Sequence, residues 1–127
     1  MKKQIEHVCT FHDSFGIKNN YTPTEKVSED VVLLRHRLMA EENEEYLQAC
    51  RNGDLVEIAD ALGDMMYILC GTILSHGLQD KIEHVFEEIQ KSNMSKLGSD
   101  GKPIYREDGK IMKGPDYFKP DIKKIIS

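Results

Sequence analysis

The 127-residue sequence has no Trp and only four Pro, three Cys, four Phe and five Tyr. Each shortage excludes something. Cys9, Cys50 and Cys70 are odd in number, far apart and form no CxxC, which rules out a disulfide framework or a zinc knuckle and leaves reduced thiols. The five His form no HExxH, and none is spaced as part of a Cys/His zinc set. Positive charge is not in excess: the net charge is −5 and the pI near 5.5, which argues against nucleic acid or an anionic membrane as a partner. A long hydrophobic run is missing too. The longest, Met65 to Leu74, is about half of a membrane span, and Met1 to His7 lacks the apolar core of a signal peptide. These absences together predict a cytoplasmic protein.

What is present is ordinary for a soluble chain, 39% hydrophobic and 31% charged. The length fits one domain, residues 1–127, able to bury roughly two thirds of its unfolded surface. Apolar spacing predicts a first helix from about Lys3 to Phe15. After the Thr22-Pro23 turn signal, Ser28 reads as the N-cap of a second helix running to about Arg51. Asn52-Gly53 ends it and Asp54 caps a third, which carries Leu55, Ile58, Leu62, Met66, Leu69 and Ile73 and stops at His76-Gly77. A fourth runs from about Gln79 to Ser92. Short connections predict an all-α fold, an antiparallel four-helix bundle with a helical core of about 3–93. Beyond Gly98 the glycines and prolines concentrate, and Pro103–Arg106, Glu107-Asp108-Gly109 and Lys110–Lys113 read as a C-terminal β-hairpin, followed by an extended arm.

The chemistry lies in two acidic stretches, Glu41-Glu42-Asn43-Glu44-Glu45 and Glu57-Ile58-Ala59-Asp60 with Asp64. Acidic helical residues ordinarily form a solvated face. Here Glu41, Glu42 and Glu45 continue the apolar row begun by Leu34 and Leu38, and Glu57, Asp60 and Asp64 share a row with Tyr67, Ile68 and Gly71. Between Asp54 and Ser75 there is no Lys or Arg, so these acids have no basic neighbour one turn away on their own helix. Antiparallel pairing about Asn52-Gly53 brings the two clusters to similar height. Like charges on a half-buried surface need a neutralising partner, and an all-oxygen set suits Mg²⁺, with Mn²⁺ the alternative. Glu42, Glu45, Asp60, Asp64 and Glu57 are the candidate ligands.

Glu42-Asn43-Glu44-Glu45 and Glu57-Ile58-Ala59-Asp60 together resemble the ExxE and ExxD signature of the MazG-like and phosphoribosyl-ATP pyrophosphohydrolase-like all-α NTP pyrophosphohydrolases. One departure concerns register. An alignment through Leu62-Gly63-Asp64 makes Asp64 the ligand but places Ala61 where the signature has Glu, so Asp60 would supply the missing carboxylate. Asn93-Met94-Ser95-Lys96-Leu97, with the glycine- and lysine-rich tail that follows, is similar to one subgroup of that superfamily.

The resemblance implies hydrolysis of an NTP or dNTP to the monophosphate and pyrophosphate, in house-cleaning or nucleotide-pool control, with Glu41 or Glu42 as the candidate general base. It also implies Asn93, Lys96, Lys110 and Lys113 as contacts to the substrate's phosphates, and a homodimer or homotetramer. Phe11, Phe15 and Tyr67 are candidates for a wall against the base. Two alternatives stand beside this reading: the phosphoribosyl-ATP step of histidine biosynthesis, and a non-catalytic helical oligomerisation module.

Overall fold

The structure, a computed structural model, describes residues 1–127. Helix α1 (Lys2–Ser14) buries Ile5, Val8 and His12, spaced by three and four along one stripe. Helix α2 (Glu29–Arg51) and helix α3 (Leu55–Ser75) are joined by a tight turn: the Asn52 amide donates to the Gln48 carbonyl, and Gly53 takes φ +63°. Asp54 then caps α3, its Oδ1 accepting from the Glu57 amide at 3.1 Å. Helix α3 packs against both α1 and α2. Its length and mean hydropathy of 1.3 would suit a membrane span, but it is the central helix of this unit and buries Ala61, Cys70, Ile73 and Leu74.

Residues 1–80 form the first of two compact units. The loop between α1 and α2 is tied to the end of α3. The Asn20 amide donates to the Leu74 carbonyl (2.9 Å), Asn20 Nδ2 to the Ser75 carbonyl (2.6 Å), and the Thr24 amide to the His76 carbonyl (2.9 Å). Gly77 closes this junction at φ +65°, where a Cβ would overlap the Thr22 carbonyl.

Residues 81–127 form the second unit, with helix α4 (Ile82–Met94) and the short helix α5 (Ile122–Ile126). Ser92 Oγ donates to the Phe118 carbonyl at 2.8 Å, and the Phe118 amide donates to Ser95 Oγ at 3.2 Å. Gly114 lies against the Leu97 carbonyl, with no room for a Cβ.

The all-α class holds, but the C-terminal β-hairpin expected from the sequence is absent. Residues 104–112 contain one antiparallel bridge, Tyr105 to Ile111, and no strand. Asp108 explains what forms instead: it accepts from the Lys110 amide and pairs with Arg106, closing a turn that Gly109 completes at φ +85°. Residues 99–113 are all exposed, so no apolar face is buried that would extend the pairing, and a lone two-stranded ribbon is marginal in water. Helix α5, with Asp121 Oδ1 accepting from the Lys124 amide, lies where an extended arm was expected.

Candidate active site

The facing rows of α2 and α3 bring four carboxyl groups into mutual influence. Glu42 is half-buried, and its Oε2 is sealed from solvent without a hydrogen-bond partner. Its carboxyl is pushed up from 4.5 to about 7, first by desolvation, then by a hydrogen bond with and the charge of Glu45, then by Asp64 and Asp60. Asp64 is raised as well, by desolvation first and then by Asp60 and Glu45. Glu45, Asp60 and Asp64 are otherwise open to solvent. No three His, Cys, Asp or Glu side chains converge into a closed ligand shell. An orphaned, buried carboxylate oxygen among three more carboxylates is nevertheless a donor set that fits a hard divalent cation.

The other candidate acids lie elsewhere. Glu41 Oε1 is 3.7 Å from Arg37 Nε in an exposed i,i+4 pair, and Glu57 is exposed in the first turn of α3. The lysines proposed for phosphate belong to the second unit. Asn93 is exposed and its carbonyl accepts from the Lys96 amide at 3.2 Å. The Lys110 amide donates to Asp108 Oδ1 at 3.1 Å, and Lys113 Nζ stands 4.6 Å from the centre of the Tyr117 ring. A cavity of 620 Å³ in the same unit is lined by Tyr105, Arg106, Glu107, Asp108 and Met112 and includes none of the four coupled acids.

Phe11, Phe15 and Tyr67 do assemble. Phe11 stacks at 4.5 Å on Phe15 and meets Tyr67 edge-on at 5.6 Å. The three rings keep 38%, 69% and 43% of their surface exposed, so they form a surface platform and not a core. Tyr67 follows Asp64 by three residues on the same row of α3, which puts the platform beside the acids.

Sequence reasoning missed one constellation. Two turns before Glu42 on α2 stands Arg35, and two turns after Asp64 on α3 stands Gly71. Arg35 lies across Gly71 with the ring of His12, which is 2% exposed. The matching seven-residue offsets were the signal available in the sequence.

The first unit is thus an all-α unit with carboxylate rows facing each other on two consecutive helices. Residues 8–93 match the phosphoribosyl-ATP pyrophosphohydrolase family, and the chain belongs to that family. Among solved structures, a candidate NTP pyrophosphohydrolase from Exiguobacterium sp. 255-15 is similar at 25% identity and a TM-score of 0.55. That alignment covers 97% of this chain and 93% of the other. No curated protein matches the sequence.

Proposed function

We propose that the protein is a Mg²⁺-dependent nucleoside triphosphate pyrophosphohydrolase, acting on an NTP or dNTP in house-cleaning or nucleotide-pool control. The observation that carries this reading is Glu42, within the family region: a carboxyl with a sealed, unpartnered oxygen, raised to about 7 by desolvation first and then by Glu45, Asp64 and Asp60. Glu45, Asp60 and Asp64, together with Glu42, are the residues that would hold the metal. Mg²⁺, when bound, supplies neutralising charge for phosphate oxygens and acidifies a coordinated water. Water attacks phosphorus, the bond to the departing pyrophosphate breaks, and Glu42 takes the proton that the water gives up. Phe11 and Tyr67 offer the base an exposed aromatic face. The resemblance adds Asn93, Lys96, Lys110 and Lys113 as phosphate contacts, each tested by the KM of its Ala variant.

Leu55, Val56, Leu62, Met66 and Leu69 leave between 44% and 76% of their surface exposed on α3. An apolar row of that extent marks an interface, and a second copy of this chain, giving a homodimer or homotetramer, is the proposed cover. Sedimentation equilibrium tests it, with Leu62→Glu expected to yield monomer.

The test of activity is incubation with a panel of NTPs and dNTPs plus Mg²⁺, scoring pyrophosphate against orthophosphate. Failure to release pyrophosphate from any of them contradicts the proposal. The family match itself favours a second reading, phosphoribosyl-ATP as substrate, which complementation of a histidine auxotroph decides. A non-catalytic oligomerisation module predicts instead no thermal stabilisation by Mg²⁺.

A further inference from the structure

The first unit carries fourteen Asp and Glu against seven Lys and Arg, yet Arg35, one of those seven, faces none of the acids. Its neighbours one turn away on α2 are Val31, Val32, Leu38 and Met39, and it makes no ion pair or hydrogen bond. It is half-buried, and desolvation alone lowers its pKa. Across the helix interface α3 presents Gly71, where a built Cβ would overlap Arg35 Nη1 and lie 2.9 Å from His12 Nε2. The space of one missing side chain is therefore filled by a guanidinium and an imidazole. A desolvated cation without a counter-charge is unfavourable in a folded unit, and a bound anion removes that cost.

His12 is fixed in orientation. Asn19 Nδ2 donates to Cys9 Sγ (3.5 Å) and Asp13 Oδ1 (3.4 Å), so Asn19 Oδ1 is the acceptor of the His12 Nδ1–H bond at 2.6 Å. The other ring nitrogen, Nε2, shares with the Arg35 guanidinium the space beside Gly71. Along both helices this group lies two turns, about 10 Å, from the Glu42 and Asp64 carboxylates.

We propose that Arg35, beside His12 in the space left by Gly71, is an anion-binding residue that takes a phosphate group of the nucleotide at the opposite end of the α2–α3 face from the metal-binding acids. This deepens the proposed function and rests on it for the identity of the ligand. A guanidinium fork matches two phosphate oxygens, whereas a lysine ammonium would meet them as a point charge. The phosphate comes either from the triphosphate tail or from a second, sugar-borne phosphate.

The experiment is calorimetric titration of the full chain in EDTA with pyrophosphate and, separately, ribose 5-phosphate. Wild type is expected to bind at least one of them. The preferred probe identifies the source of the phosphate. Arg35→Met should weaken that binding about tenfold or more, and Arg35→Lys should recover only part of it. Gly71→Ala keeps the charge and the helix but displaces the guanidinium, so it should weaken binding with an unchanged far-ultraviolet spectrum. Binding by Arg35→Met equal to wild type overturns the proposal, as does absence of binding to wild type. If no nucleotide is hydrolysed while Arg35-dependent binding persists, the catalytic reading fails and the anion site stands.

Discussion

The two ends of the α2–α3 face present opposite electrostatic problems. At one, desolvation and then the charges of neighbouring carboxylates raise the proton affinity of Glu42 and Asp64, and one carboxylate oxygen of Glu42 is sealed without a partner. At the other, a single guanidinium loses solvent without gaining an acid. Each end alone is an uncompensated charge; the same pair of helices holds both, two turns apart. Stability by itself would have paired them or replaced them with apolar residues. An unpaired excess of each sign, kept apart, is the arrangement expected of a surface that binds a metal at one end and a phosphate at the other.

The sharpest way to break this comparison is to delete one acid. Asp64→Ala and Glu45→Ala should each lower pyrophosphate release by about a thousandfold or more, as expected when a group that stabilises developing charge is lost. The melting temperature without metal should hold or rise, because a repelling carboxylate has been removed. Unfolding of both variants would assign the acids to structure instead. Arg35→Met, by contrast, should raise KM about tenfold and leave kcat nearly unchanged, since it removes binding and not proton transfer.

Proton linkage separates the ends further. The folded protein holds the Glu42 proton up to about pH 7, whereas the unfolded chain releases it near 4.5. The metal-free fold therefore has this contribution in full below about pH 4.5 and loses it as the pH rises through 7. The melting temperature in EDTA should fall between pH 5 and pH 8, Glu42→Gln should flatten that slope, and Mg²⁺ should reverse it. The smallest effect belongs to the turn that sets the two acid rows at one height. Asp54→Ala removes the cap on α3 and should cost about 1 kcal/mol in denaturant unfolding, with activity retained.

Much of this unit was legible before any coordinates. The Asn52-Gly53-Asp54 turn was readable because its residues satisfy local demands, a positive φ and an orphan amide, that depend on nothing distant. The acid rows were readable from helical period and from the missing lysines and arginines of α3. The C-terminal segment was misread for the converse reason. Turn chemistry at Asp108-Gly109 is local and is present, but a hairpin also requires a buried face, and the alternation of Ile104, Tyr105, Ile111 and Met112 does not say whether one exists. The meeting of Arg35 with His12 was missed because the seven-residue offsets alone do not say what fills the space between the helices. Only the absence of a side chain at Gly71, on another helix, gives them room.

The sequence by itself determined the helices of the first unit, the Asn52-Gly53 turn with its Asp54 cap, and the facing of Glu42 and Glu45 toward Asp60 and Asp64, since period and local hydrogen bonding fix these within a few residues. Ser28 stands at the start of α2 as expected, but its side chain makes no capping bond. Tertiary structure decided how far each group loses water. That made Glu42 the carboxyl with a sealed oxygen while Glu41 stayed in a surface ion pair, and it left Arg35 desolvated beside His12. Desolvation is a property of what lies across the interface, and it sums contributions from helices whose order in the chain carries no record of it.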